Sequence, residues 1–161
     1  MRKLILVILN SLATVFVAVV LLFAFLNFSS APEKNGLFSY KGFIVLSDSM
    51  APEFEAGDYI IDQVVSFEEL SVGDIVSYMD VKNVLVTHRV HEKTAEGLLL
   101  KGDGNDFVDT TVVTEQNYIG KHKYTVHKLG VLMIKLGQPI VLVVISLLFG
   151  IYLLYHFFKK G

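Results

Sequence analysis

The two ends of the chain are long, continuous apolar stretches. Residues 4–26 carry no charge, and their polar side chains are Asn10, Ser11 and Thr14. As a helix these 23 residues span about 34 Å, enough to cross a hydrocarbon core of roughly 30 Å. Residues 139–158 form a second stretch of sufficient length. The pattern therefore predicts a transmembrane anchor over residues 4–26 and a second transmembrane helix over residues 139–158.

The first stretch also has an alternative interpretation, a cleavable secretory leader, because the small residues Ser29 and Ala31 follow it. Its apolar run is longer than the roughly 7–15 residues usual in such leaders. Pro32 comes next, and its fixed φ and missing N–H make it a poor residue behind a scissile bond. We therefore expect the stretch to be retained as an anchor.

Between the two ends, the pattern changes to short runs rich in valine, isoleucine, tyrosine and phenylalanine, separated by glycine and aspartate. Such runs are typical of short strands joined by turns. The predicted strands are residues 37–46, 58–65, 74–81, 84–92, 97–101 and 118–127. Residues 67–74 are interpreted as a turn, and residues 129–136 as a short helix at the membrane surface. The expected fold is mainly β: a small antiparallel, partly coiled β domain over residues 32–128, flanked by N- and C-terminal transmembrane helices.

Charge places this β domain outside the cytoplasm. All 16 acidic residues lie between Glu33 and Glu115, whereas Arg2, Lys3, Lys159 and Lys160 flank the outer ends of the apolar stretches. By the positive-inside rule, both termini are cytoplasmic and the β domain is extracytoplasmic, in a two-span protein of the cell membrane. Residues 32–128 contain nine basic and 16 acidic residues, which argues against nucleic-acid binding. The lipid bilayer is the expected partner of the two ends, and the absence of cysteine excludes a cysteine-type zinc site.

Three polar groups are candidates for chemistry. Ser49 follows the first predicted strand, a position where a serine is exposed enough to act as a nucleophile, although most loop serines form turns. Ser47 lies on the same side if the backbone stays extended, and its hydroxyl could donate to an oxyanion beside the backbone N–H of Ser49. His88 lies within a predicted strand, where a lone histidine is usually structural. A serine, a histidine and an aspartate in this order indicate a serine hydrolase.

The carboxylates of that set lie in a loop rich in glycine, asparagine and aspartate, residues 101–109. An alternative is a calcium loop, since Asp103, Asn105 and Asp109 alternate as oxygen ligands, but the glycine and glutamate of an EF-hand are missing. Otherwise one carboxylate orients His88 and another braces the loop. No histidine spacing requires zinc, so neither a metal nor another cofactor is expected.

Together these residues form a specific arrangement. The segments are Ser47-x-Ser49-Met50-x-Pro52, Gly57-Asp58, Gly73-Asp74-Ile75-Val76, Thr87-His88-Arg89-Val90 and Lys101-Gly102-Asp103-x-Asn105. In order and spacing the chain resembles the type I signal peptidases. It is most similar to the endoplasmic-reticulum and archaeal kind, also found in some Gram-positive bacteria, which carries histidine where most bacterial enzymes carry lysine.

This resemblance implies a membrane-bound serine endopeptidase that removes signal peptides from secretory preproteins. It implies that Ser49 is the nucleophile, His88 the general base and Asp109 the acid of the triad. Asp103 matches a second aspartate needed for activity and stays an alternative to Asp109 as the residue that orients His88. Ser47 matches the side-chain half of the oxyanion hole, completed by the backbone of Ser49. Translocation machinery or accessory subunits are implied partners.

Two other functions fit the same residues. One is a non-catalytic β domain displayed on the membrane as a scaffold or assembly partner, with the triad residues incidental. The other is a peptidase with a lysine base, for which Lys82 on the turn before the His88 strand is the nearest candidate.

Overall fold

The computed structural model describes residues 39–138 continuously. Elsewhere it describes residues 147–152, Tyr155 and eight positions near the start, which are Val7, Asn10, Ser11, Ala13, Thr14, Phe16, Val17 and Val20. The predicted spans over residues 4–26 and 139–158 lie largely outside these described residues. Among the described residues, no helix is both long and apolar enough to cross a membrane. The chain divides into two compact units, Leu26–Gly130 and Met1–Phe25 together with Val131–Gly161, and the first contains the β domain.

The β domain is a six-stranded antiparallel sheet, as the hydrophobic pattern predicts. Its strands are β1 (Tyr40–Ile44), β2 (Tyr59–Gln63), β3 (Ile75–Met79), β4 (Leu85–Lys93), β5 (Leu98–Lys101) and β6 (Tyr118–Val126). The spatial order is β1-β2-β6-β3-β4-β5. Every predicted strand is therefore confirmed. Strands β1, β2 and β3 end two residues before the predicted end, β4 is displaced by one residue, and β5 and β6 are each one residue shorter.

Alternation along the central strand β3 separates two apolar cores. Val76 and Tyr78 belong to one cluster and Ile75 to the other, because successive side chains of a strand point to opposite faces. The first cluster contains Leu70, Val76, Tyr78, Val90, Leu98, Leu100 and Val113. The second contains Phe43, Met50, Phe54, Ile60 and Ile75. Both faces of β3 are covered, and four of its five residues are buried.

One connection differs in detail from the sequence prediction, and a second agrees with it. The predicted turn over residues 67–74 begins as a 3₁₀ helix, Phe67–Glu69, and ends at Gly73, whose φ of +93° favours glycine. The helix α1 (Leu129–Leu136) has the predicted bounds. Just before it, Asp58 accepts the backbone N–H of Lys128 at 2.8 Å and contacts His127 Nδ1 at 2.9 Å. The buried Asp58 carboxylate thus fixes where the sheet ends and α1 begins.

Candidate active site

Ser49 lies on a tight loop that is anchored in the core by its neighbour. The chain bends after β1, and the Asp48 carbonyl accepts the N–H of Ala51 at 3.0 Å. The Asp48 side chain accepts the N–H of Ala56 at 2.8 Å. Met50 is only 1% exposed and packs in the second core cluster. Ser49 is therefore held at the surface between two fixed neighbours.

His88 occupies β4, opposite Val76 of β3, and only 6% of its surface is exposed. Its Nε2 lies 3.0 Å from the Ser49 hydroxyl oxygen, and its Nδ1 lies 2.6 Å from Asp109 Oδ2. An ionised carboxylate only accepts hydrogen bonds, so the ring proton resides on Nδ1. Nε2 is then the acceptor that faces the hydroxyl of Ser49, as a general base requires.

Of the two candidate aspartates, Asp109 is the one beside His88. Its backbone N–H donates to the Leu100 carbonyl at 2.8 Å, which ties the loop back to β5. Its Oδ2 also accepts the hydroxyl of Tyr78 at 2.9 Å. Burial raises the pKa of Tyr78, and the hydrogen bond to Asp109 raises it further. The tyrosine therefore remains a protonated donor.

Asp103 faces Arg89 instead. Its carboxylate receives Nε and Nη2 of Arg89 at 2.9 and 2.6 Å, a bidentate pair. Arg89 also bonds Glu53, on the turn that follows Ser49, at 3.2 Å. The hydrogen bond that Arg89 donates to Asp103 raises the pKa of Arg89, although partial burial opposes it. Arg89 thus joins the serine loop to the aspartate loop. The calcium interpretation loses support, because Asp103 and Asp109 are each engaged by other side chains.

The serine and aspartate loops touch where two glycines allow it. The N–H of Gly104 donates to the Ser49 carbonyl at 2.8 Å. A Cβ at Gly102 would lie 2.5 Å from that carbonyl oxygen, and one at Gly104 would lie 3.0 Å from the Asp48 carbonyl. Only glycine permits so close an approach of backbone to backbone.

The hydroxyls of Ser47 and Ser49 lie 3.3 Å apart. The sequence argument assumed an extended backbone, whereas residues 47–50 form a bend and the start of a turn. The two side chains nevertheless converge. Lys82, the candidate lysine base, is exposed in the turn between β3 and β4, and it is His88 that lies next to Ser49.

An apolar cleft of about 470 Å³ opens beside Ser49 and His88. Residues 43–47 line one side and residues 84–88 the other, with Phe54 and Ile60 between them. Among the described residues, β1 pairs with β2 alone. Residues 85–88 of β4 pair with β3 alone, because β5 begins its pairing at Arg89. Each side of the cleft therefore offers an unpaired strand edge.

Sequence reasoning assigned no role to Tyr78, Gly102 or Arg89, although all three contact the site. A buried tyrosine needs a partner for its hydroxyl, so a tyrosine in an apolar run was a usable signal for Tyr78. Arg89 follows His88 directly, but the carboxylates that it binds, Asp103 and Glu53, are far from it in the sequence and could not be inferred from its neighbours.

Comparisons of the sequence with known proteins identify its family. No protein-family model matches the chain. Signal peptidase I W of Bacillus subtilis is 35% identical over 104 residues, 62% of this chain and 55% of that protein. The signal peptidase complex catalytic subunit SEC11 of Clavispora lusitaniae is 32% identical over 112 residues, 66% of this chain and 67% of that protein. The chain belongs to the type I signal peptidase family.

A third relative of the chain is the signal peptidase complex catalytic subunit SEC11 of Scheffersomyces stipitis, 34% identical over 110 residues. The chain spans 55% of the Bacillus protein and 63% of the Scheffersomyces protein, less than two thirds of either. The similarity thus joins a bacterial signal peptidase and fungal ones to the same chain.

Proposed function

We propose that this chain is a membrane-bound serine endopeptidase that removes signal peptides from secretory preproteins. The observation that carries the proposal is the continuous contact from Ser49 Oγ through His88 to Asp109, at 3.0 and 2.6 Å. Family membership adds the class of substrate. A scaffold role explains neither the contact nor the glycines that bring the serine loop against the aspartate loop.

In the proposed mechanism, Ser49 attacks the carbonyl carbon of the scissile bond while His88 Nε2 takes its proton. Asp109 holds the Nδ1 tautomer and stabilises the imidazolium that forms. The hydroxyl of Ser47 and the backbone N–H of Ser49 stabilise the oxyanion. His88 then gives the proton to the leaving amine, and water hydrolyses the acyl-enzyme by the same route. Asp103 acts indirectly, by binding Arg89, which joins the aspartate loop to the serine loop.

The substrate is proposed to lie in the apolar cleft as an extended strand. Among the described residues, β1 and residues 85–88 of β4 each have one strand edge without a partner strand, so a preprotein segment can form main-chain hydrogen bonds on either side. Main-chain hydrogen bonds do not depend on the side chains of the substrate. The apolar walls of the cleft would select among those side chains. The arrangement suits a substrate class whose members share little sequence.

The proposed setting is the cell membrane. Residues 4–26 and 139–158 would span it with both termini in the cytoplasm, leaving the β domain outside, where translocated preproteins emerge. Accessory subunits or translocation machinery are proposed partners, because two relatives are named as catalytic subunits of a signal peptidase complex. Tags at each terminus and in the β domain, tested for protease accessibility in sealed vesicles, would report this topology.

The central test uses the full chain in detergent with a secretory preprotein. Ser49→Ala should abolish processing and also abolish labelling by a serine-reactive substrate analogue, which should attach to Ser49 in the unchanged protein. Ser66→Ala is the matched control, since Ser66 is exposed and its side chain makes no cap hydrogen bond. Full processing by purified Ser49→Ala protein would refute the proposal.

A further inference from the structure

We propose that Tyr78 is a positioning residue, which holds the Asp109 carboxylate in place and limits how strongly that carboxylate binds His88. This inference rests on the proposed function for its kinetic consequences. Its structural part concerns three side chains alone and can be tested without a substrate.

The contact of Tyr78 with Asp109 follows from strand register. Tyr78 of β3 lies directly opposite Val86 of β4, and His88 lies opposite Val76. Residues two apart on a strand share a face, so Tyr78 and His88 are diagonal neighbours on one face of the β3–β4 pair. The carboxylate of Asp109 reaches this face and accepts both groups on one oxygen. Oδ2 lies 2.9 Å from the Tyr78 hydroxyl and 2.6 Å from His88 Nδ1.

Asp109 needs such support because it belongs to a loop. Residues 102–112 form no strand or helix, whereas Tyr78 stands in the central strand of the sheet. Its side chain is 2% exposed and packs in the first core cluster. Within residues 39–138, the Asp109 side chain has hydrogen bonds to Tyr78 and His88 and to no other group. The hydrogen bond from the Tyr78 hydroxyl thus ties the Asp109 carboxylate, which lies in a loop, to a residue that is packed in the core.

The shared oxygen also has an electrostatic consequence. A carboxylate oxygen that accepts a second hydrogen bond carries less charge for the first, so it stabilises a cationic histidine less strongly. Burial raises the pKa of Tyr78, with Asp109 and then Asp80 adding to the effect. The phenol therefore stays protonated and acts as a donor at every pH where the enzyme works. Ser49, on the other side of the His88 ring, carries no charge.

The experiment compares Tyr78→Phe with Tyr118→Phe in the full chain. Tyr78→Phe keeps the buried ring and removes only the hydroxyl. Tyr118→Phe is the matched control, because its hydroxyl accepts the N–H of Val65 at 3.4 Å and touches none of the triad. We expect Tyr78→Phe to lower kcat about tenfold with little change in KM, since one hydrogen bond to a charged group is lost. The acidic midpoint of its kcat/KM profile should move to higher pH, and neither change should appear in Tyr118→Phe.

A second measurement separates this inference from the peptidase assignment. In a Ser49→Ala background, the ring signals of His88 are followed by NMR as a function of pH. Adding Tyr78→Phe should raise the titration midpoint of His88, whether or not the chain cleaves preproteins. Adding Asp109→Asn as well should remove that difference, because Tyr78 acts through Asp109.

The possible results are distinct. If the protein without any substitution leaves the preprotein unprocessed, the peptidase function is refuted. The NMR comparison then still tests the role of Tyr78. An unchanged His88 titration in Tyr78→Phe overturns the inference. So does a loss of kcat that merely follows a loss of folded protein, with the pH profile unaltered, since that would show a structural role alone.

Discussion

Adding one methyl group at Gly102 should damage the active site more than the fold. A Cβ there would lie 2.5 Å from the Ser49 carbonyl oxygen, whereas such contacts are essentially never shorter than 3.0 Å. The serine and aspartate loops must therefore separate by about 0.5 Å. The Asn105 amide, 2.7 Å from the same Cβ, is a side chain that can turn away. The backbone carbonyl has no such freedom, so the strain falls on the position of Ser49.

The expected magnitude follows from that displacement. A misplacement of about 1 Å can cost roughly a hundredfold in rate, so we expect Gly102→Ala to lower kcat about tenfold. Forcing atoms into a filled space costs about 1–3 kcal/mol of stability. Single-turnover cleavage of a fluorogenic preprotein peptide measures the first quantity, and urea unfolding measures the second.

Gly73→Ala is the control for added strain. A Cβ there meets nothing within 4 Å, but the φ of +93° is unfavourable for alanine, at a cost of about 1–3 kcal/mol. This variant should lose stability and keep more of its kcat than Gly102→Ala, because the added Cβ meets neither loop. Its tie to the site is the Gly73 carbonyl, which accepts Arg89 Nη1 at 3.0 Å. The reasoning is refuted if Gly102→Ala retains full kcat, or if both variants lose kcat equally per folded molecule.

Three further predictions concern the carboxylates and the core. Asp109→Asn should lower kcat by roughly 10³–10⁴ and Asp103→Asn by about tenfold, as measured by preprotein cleavage; equal losses would contradict their different contacts. Although burial opposes it, hydrogen bonds from Lys128, Glu55 and His127 lower the pKa of Asp58. Its contribution to stability is therefore present above roughly pH 4, the pKa of an unfolded aspartate, and is lost as pH falls through the lower pKa of the folded state. The urea midpoint of Asp58→Asn should depend less on pH below about pH 4 than that of the unchanged protein. Met50→Ala should destabilise the β domain by about 2–5 kcal/mol in urea unfolding, and an unchanged midpoint would show that the loop is not held by the core.

The strands were predictable because their signals are local. Alternating apolar residues and the glycines between them marked all six strands, and the bounds of α1 followed from Gly137 and the apolar run before it. The 3₁₀ helix at Phe67–Glu69 was interpreted only as a turn, since three residues are too few for a period to show. Strand ends were overestimated where β1 leaves the sheet, because Val45 and Leu46 continue the apolar run into the cleft wall.

The site was predictable in its members but not in its connections. Sequence order and spacing singled out Ser49, His88 and two aspartates. The five loop residues between Asp103 and Asp109 have no regular pattern, so the sequence could not show which aspartate reaches His88. That outcome depends on the bond from Asp109 to Leu100 and on the capture of Asp103 by Arg89. The contact of Tyr78 depends on the register of β3 against β4, which a local pattern does not contain.

The burial of Met50 has a consequence for how such an enzyme is made. Under the proposed function, the reactive hydroxyl is one residue away from a side chain that reaches its place only when the second core cluster has packed. A chain in which that cluster has not packed would then lack an aligned nucleophile, so the proposed cleavage would depend on folding of the β domain.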